Sequence, residues 1–319
     1  MTSCRLIISL MAALFASLPV SAAERYDLLL RGGRIVDGTG APWHVADVAI
    51  RDGRIAAIGR LAESQAAKVI DAKGLVVAPG FIDMMGQTAT PFLKDPAAAL
   101  NLLTQGITTI NAGEGASAAP LVGDEARQAG WQSFREYFDL LDKTGMPVNV
   151  VQTVGHTQVR KVVLGDVDRR PLPAELDRMR ALVREAMEAG AIGVSTALIY
   201  PPAVYAATEE IGALAQIAGE YGGGYFTHMR NEGDRLLEAI DEALAIGQMG
   251  SCPVHIFHLK AAGRQNWGTF DLAIARIQAA RAAGMQVAAD IYPYLNNGLP
   301  ITAFIPPRFS AEGALALRR

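Results

Sequence analysis

APGFIDMMGQTATPFLKDPAAALNLLTQGITTINAGE, residues 78–114, holds two apolar runs that each lead to an acid. The first, Val76 to Ile82, is broken at Pro79-Gly80 and ends on Asp83; the second, Ile107 to Ile110, leads to the glycine-flanked Glu114. Between them, Pro96 to Gln105 predicts a helix. A buried strand, a helix and another buried strand, with polar groups where the strands stop, is the repeating unit of an α/β barrel, whose active face lies at the strand ends.

Working outward toward the C-terminus, the unit repeats. Helical spacing over Ser133 to Lys143 stops at Gly145 and precedes a strand over Val148 to Val154. Leu176 to Glu188 carries apolar residues at helical intervals and stops at Gly190, before a strand over Ile192 to Ser195. Glu209 to Tyr221, with Thr208 as its expected N-cap, leads to Gly224–Thr227; Asp234 to Gly250 leads to Pro253–Phe257; Phe270 to Ala283 leads to Val287–Ile291. The last four strands end near Ser195, His228, His258 and Asp290, roughly one βα unit of thirty residues apart. The fold class read from this is α/β: a (β/α)8-type TIM barrel over residues 78–319, incomplete because only seven of its eight strands are legible. An open doubly wound sheet would accommodate seven strands, but Gly80 to Gly86 lacks the spacing of its phosphate loop.

Toward the N-terminus the pattern changes. Residues 24–77 read as short strands, Leu28–Leu30, Arg34–Val36, Val48–Ile50, Arg54–Ile58 and Val69–Ile70, with hairpin turns expected at Asp37-Gly38 and Asp52-Gly53. Residues 1–23 read as a signal peptide: Arg5, an apolar stretch from Leu6 to Leu18, then the small-residue site Val20-Ser21-Ala22-Ala23. Cleavage near Glu24 implies a periplasmic or secreted protein; an uncleaved anchor is the alternative, although the stretch is short for a bilayer span. No later stretch is long and apolar enough to span a membrane. Cleavage would leave Cys252 as the lone thiol, unable to form an internal disulfide. A net charge of −3 without a basic run excludes nucleic acid as a partner.

The chain has only five histidines. His228 and His258 end strands in adjacent units, and Glu114 ends a third. Two imidazoles and a carboxylate at one barrel mouth suit a zinc ion with a fourth position open to water; the alternative for each histidine is a hydrogen-bonded structural role. Side-chain alternation places His258 on the face of Ile256 and His255 on the opposite face, so only one of this pair points inward. Lys260, two residues on, would share the inward face of His258 if the strand continued, bringing an ammonium toward a substrate carboxylate.

The runs DGTGAPWHVADVAIRDGRIAAIG, VVAPGFID, QGITTI, STALIYPP, THMRNEGDRLLEAI, HIFHLKAAG and ADIYPY together resemble the N-acyl-D-amino-acid deacylase (D-aminoacylase) branch of the amidohydrolase superfamily, from about Tyr26 to Tyr294. The resemblance implies a metal-dependent barrel with a small β-sandwich built partly from the N-terminal segment. It also implies one tightly held zinc, whose ligand positions fall on Glu114, His228 and His258. The family carries cysteine in place of Glu114, and glutamate is a competent oxygen ligand. Where the superfamily places a His-x-His pair for a second metal, this chain has Met85-Gly86-Gln87-Thr88, so a single ion is expected. Tyr200 and Arg230 fall on positions similar to substrate-contacting ones. The family's catalytic aspartate belongs to strand eight, beyond ADIYPY, so Asp290 is not its counterpart. The expected function is a metal-dependent hydrolase of a linear amide C–N bond, deacylating a small-molecule N-acyl-D-amino acid through a zinc-bound water. The alternative is a C-terminally truncated fragment that keeps a metal site without turnover.

Overall fold

The computed structural model describes residues 25–309 except 297 and 300, so the expected signal peptide and the final segment lie outside the described residues. The chain divides into two units between Pro79 and Gly80.

The first unit is one mixed five-stranded sheet. β1 (Tyr26–Ile35) pairs antiparallel with β2 (His44–Arg51), which pairs antiparallel with β3 (Arg54–Gly59); β4 (Ala66–Asp71) and β5 (Val76–Val77) run parallel to β1. Asp52 and Gly53, with φ of 51° and 68°, form the expected two-residue hairpin turn, for which positive φ at both positions matches the strand twist. The two strands expected at Leu28–Leu30 and Arg34–Val36 are a single β1, which absorbs its glycine pair as a bulge between Leu30 and Gly33. Asp37-Gly38 is not a hairpin turn; it opens a longer loop, where the Asp37 carboxylate accepts from the Thr39 amide and hydroxyl.

In the second unit, parallel strands alternate with helices. β6 (Phe81–Gln87), β7 (Ile107–Ala112) and β8 (Asn149–Gln152) pair in chain order, as do β9 (Val154–Gly155), β10 (Gly193–Ala197), β11 (Gly224–His228), β12 (Val254–Ile256) and β13 (Val287–Ala289). The intervening helices are α1 (Thr90–Lys94) and α2 (Leu100–Leu103), α3 (Gly123–Ala129) and α4 (Phe134–Thr144), α5 (His156–Leu164) and α6 (Pro173–Ala189), then α7 (Thr208–Glu220), α8 (Leu236–Gly250) and α9 (Phe270–Ala282). This is the α/β class expected. The anticipated strand over Val148–Val154 is interrupted at Thr153, whose hydroxyl turns to the carbonyls of Ala112 and Gly113.

Local chemistry explains some helix starts. Ser133 and Glu136 form a reciprocal capping box at α4, and Pro173 opens α6 where no amide donor is needed. Thr208 is not the cap of α7: Ala207 occupies that position, and the Thr208 hydroxyl donates to Glu242 instead. α3 and α5 were not among the expected helices.

One face of β11–β13 (Tyr225, Val254, Ile256, Val287) packs into a core with Ile211, Leu236, Ile240, Ile246 and Ile277 from α7, α8 and α9. On the opposite face, Phe226 stacks near His255 and Phe257. Buried between α5 and α7 is a charged cluster: Arg160 Nη1 donates to both oxygens of Glu210 at 2.7 Å, and His156 Nε2 lies 2.9 Å from Oε1. His156 is thus the first residue of α5 and belongs to this internal cluster.

Candidate metal centre

β7 ends at Ala112, and the chain then turns through Gly113, Glu114 and Gly115. Gly113 and Gly115 have φ of 97° and 73°. A Cβ at Gly113 would stand 2.6 Å from the Thr153 hydroxyl oxygen, and one at Gly115 would stand 2.5 Å from the Ala197 amide. Only glycine satisfies both the conformation and the space. The Gly115 amide donates to Ser195 Oγ at 3.1 Å, tying the turn to β10.

His228 is the last residue of β11, and its carbonyl accepts from the Leu198 amide. His258 arrives differently from the expectation of strand alternation. β12 stops at Ile256, which packs toward the helices, and His258 lies beyond it at a φ of 39°. Its amide donates to Asp290 Oδ1 at 2.6 Å, while Asp290 Oδ2 lies 2.6 Å from His255 Nε2. Asp290 therefore braces the loop of one histidine and the ring of the other. A non-glycine residue at positive φ costs on the order of 1–3 kcal/mol and persists where surrounding contacts over-determine it.

These turns bring three donor atoms together. Glu114 Oε1 is 2.9 Å from His228 Nδ1 and 3.2 Å from His258 Nε2, and the two ring nitrogens are 3.0 Å apart. Those spacings approach the roughly 3.3 Å edges of a tetrahedron built on bonds of about 2.0–2.1 Å, the geometry of zinc with nitrogen and oxygen ligands. Among the described residues this is the cluster of histidine, cysteine and carboxylate groups compact enough to hold an ion. Burial raises the Glu114 carboxyl, but the hydrogen bonds and charges of both imidazoles overcome this and hold it down at about 2. Burial likewise lowers His258, yet its hydrogen bonds to the Glu114 and Glu232 carboxylates carry it up to about 9. Glu114 is thus ionised at neutral pH.

Around this cluster, the Gln87 side-chain amide donates to Glu114 Oε2 at 2.7 Å. Tyr200 sets its ring edge-on to His228, 5.7 Å between centroids. Lys260 Nζ lies 3.0 Å from His258 Nδ1 and 2.7 Å from Glu232 Oε2, although the strand does not continue to it. Arg230 stands apart from these groups: its guanidinium is taken up by Glu242 and by the carbonyls of Val204 and Ala206. Glu232 was missed by sequence reasoning. Its only signal was its place four residues after His228, in a turn where Asn231 Oδ1 accepts from the Gly233 and Arg235 amides.

An N-acyl-D-glutamate deacylase of Alcaligenes xylosoxydans xylosoxydans is 38% identical over 295 residues, covering 89% of this chain and 60% of its own length. A D-aminoacylase structure, described for the role of its binuclear metal centre with one-metal activation and second-metal attenuation, superposes with a TM-score of 0.79 at 37% identity, over 85% of this chain and 59% of the other. The N-acyl-D-glutamate deacylase of Bordetella bronchiseptica, complexed with zinc and a phosphonate mimic of the tetrahedral intermediate, gives 0.78 at 39% identity over the same shares. The chain thus spans about three fifths of the relatives it resembles. The sequence profile described as "Amidohydrolase family" matches residues 68–300, and the chain belongs to that family.

Proposed function

We propose that this protein hydrolyses the amide bond of an N-acyl-D-amino acid with a single zinc ion held by Glu114, His228 and His258. The observation that carries this reading is the convergence of Glu114 Oε1, His228 Nδ1 and His258 Nε2 within 3.2 Å of one another. Zinc bound there would polarise the amide carbonyl and bring a water toward deprotonation near neutral pH. The chain's own residues supply the rest. Lys260 offers a cation to the carboxylate of the amino-acid portion, and Tyr200 walls the site beside His228. Gln87 favours one ion over two, because its amide caps the Glu114 oxygen that faces away from the histidines.

The architecture that goes with this reading is the family's (β/α) barrel, with β6 to β13 as seven of its strands once β8 and β9 are counted together. The first unit would then form part of the accompanying β-sandwich. Residues 1–23 would direct export to the periplasm or beyond. Among the described residues no helix is long and apolar enough to cross a membrane.

The test is direct. Purified protein is assayed for metal by elemental analysis and for release of free amino acid from N-acetyl-D- and N-acetyl-L-amino acids. About one zinc per chain with turnover of the D-series is expected. Absence of metal after growth with zinc, or turnover that survives complete chelation, would refute the reading.

A further inference from the structure

The carboxylate of Glu232 stands behind the metal centre. Its Oε1 is 2.8 Å from His258 Nδ1, an ion-pair distance without hydrogen-bond alignment, and its Oε2 is 2.7 Å from Lys260 Nζ, with the side chain 11% exposed. The Lys260 ammonium is itself 3.0 Å from that same Nδ1. Nδ1 therefore faces two neighbours with opposite demands. A carboxylate only accepts, so toward Glu232 Nδ1 must carry the hydrogen; an ammonium only donates, so toward Lys260 Nδ1 must present its lone pair.

A neutral imidazole has one ring hydrogen, and its position decides what Nε2 can do. With the hydrogen on Nδ1, Nε2 is a lone pair aimed at the space shared with Glu114 Oε1 and His228 Nδ1, 3.2 and 3.0 Å away. With Nδ1 accepting from Lys260, the hydrogen sits on Nε2 and blocks the position an ion needs.

We propose that Glu232 is a positioning residue: its charge favours the His258 ring hydrogen on Nδ1 and competes with that atom for the Lys260 ammonium, so that Nε2 faces the metal as a lone pair. The backbone on either side of Glu232 is built for this. Asn231 Oδ1 fixes the following turn through the Gly233 and Arg235 amides at 2.8 and 3.1 Å, and the Glu232 carbonyl accepts from the Ala262 amide at 2.7 Å. Carboxylates behind ligating histidines set ring orientation and tautomer in metal sites generally. Here the carboxylate also restrains a competing cation, the same Lys260 assigned above to the substrate carboxylate. The proposal rests on the zinc reading of the site.

The experiment measures zinc affinity by chelator competition on the full chain, for the wild type, Glu232→Ala, Lys260→Met and the double variant. Glu232→Ala is expected to weaken binding about 10–100-fold, the usual cost of losing such a partner. Lys260→Met should bind like the wild type, and the double variant should recover most of the loss, since nothing then donates to Nδ1. Glu232→Gln keeps an acceptor for Nδ1 but not the charge that holds Lys260, so it should fall between wild type and Glu232→Ala. Nitrogen-15 shifts of the His258 ring in the metal-free proteins, recorded at alkaline pH where the ring is neutral, give an independent readout, with the hydrogen moving from Nδ1 to Nε2 in Glu232→Ala alone. A Glu232→Ala affinity within twofold of wild type, or a double variant as weak as the single, overturns the proposal. Failure of the wild type to bind zinc overturns the functional reading instead, and the ring shifts still decide the role of Glu232.

Discussion

Replacing Glu210 by Gln tests whether the buried charge cluster between α5 and α7 holds the second unit together. Arg160 is wholly buried, and its Nη1 bonds both Glu210 oxygens at 2.7 Å while Nη2 donates to the carbonyls of Val167 and Arg169. Glutamine matches the volume but removes the charge and turns an amide donor toward a guanidinium that can only donate. The guanidinium is then left buried without its counter-ion, and removing one partner of a buried pair costs about 3–5 kcal/mol. For a unit of this size, roughly 2–4 °C per kcal/mol translates that into a melting-point drop of about 6–20 °C. Arg160→Met should destabilise comparably, whereas combining it with Glu210→Gln should cost clearly less than the sum, because no unpaired charge is then buried. Urea titrations of the four proteins at pH 7 would measure this. Single variants losing under about 1 kcal/mol, or strictly additive losses, would show that the cluster is not coupled. The pH dependence has a definite sign: burial raises the Glu210 carboxyl, but His156 and Arg160 bring it below its ordinary 4.5. Its stabilising contribution is therefore full above 4.5 and is lost as the pH falls through the lower folded value.

The metal centre makes its own demands. His258, held at about 9 in the metal-free chain, must give up a proton to bind an ion, so zinc affinity should rise from pH 7 toward 9 and then level; an affinity independent of pH over that range would contradict the ligand assignment. In the metal-free protein the raised His258 contributes stability that is complete below 6.5 and lost as the pH rises through about 9, which urea titrations after chelation would detect. Saturating zinc at about 100 times its dissociation constant should add about 2.7 kcal/mol to the wild type, and Glu114→Ala should abolish most of that gain in thermal-shift measurements. Among the described strands, β6 pairs only with β7 and β13 only with β12, while Phe81, Ile82 and Ile291 are each at least 60% exposed. Sheet edges of this kind recruit other strands. A polypeptide of this sequence should therefore elute larger than a monomer by light scattering, and a sharply monomeric peak would refute this.

Much of the site was legible because it lies where strands stop. Glu114, His228 and His258 stand out in sequence as isolated polar residues after apolar runs, and the structure brings their donor atoms together. The path to His258 was not legible. Alternation along a strand assumes the strand continues, and a backbone at positive φ braced by Asp290 is set by a partner 32 residues away rather than by local pattern. Glu232 escaped for a related reason: in a polar turn rich in charge, nothing in composition separates a carboxylate that faces a ligand from one that faces water. Arg230 misled in the opposite direction, since neighbourhood to His228 in sequence did not prevent its guanidinium from bonding Glu242 and two loop carbonyls. The bulge in β1 and the break at Thr153 are further cases where one or two residues depart from a period that the surrounding sequence keeps.

The Gly113-Glu114-Gly115 turn separates two properties that most ligand positions combine. Its shape is specified by its neighbours, by contacts with Thr153, Ala197 and Ser195 that no side chain at position 114 takes part in. The central residue is therefore an interchangeable fitting on a fixed mount. Exchanging it alters the hardness of the donor offered to an ion, from carboxylate toward thiolate, while leaving the path of the chain as it is. A lineage could retune its metal preference there by one substitution, without disturbing the scaffold that aims the two imidazoles.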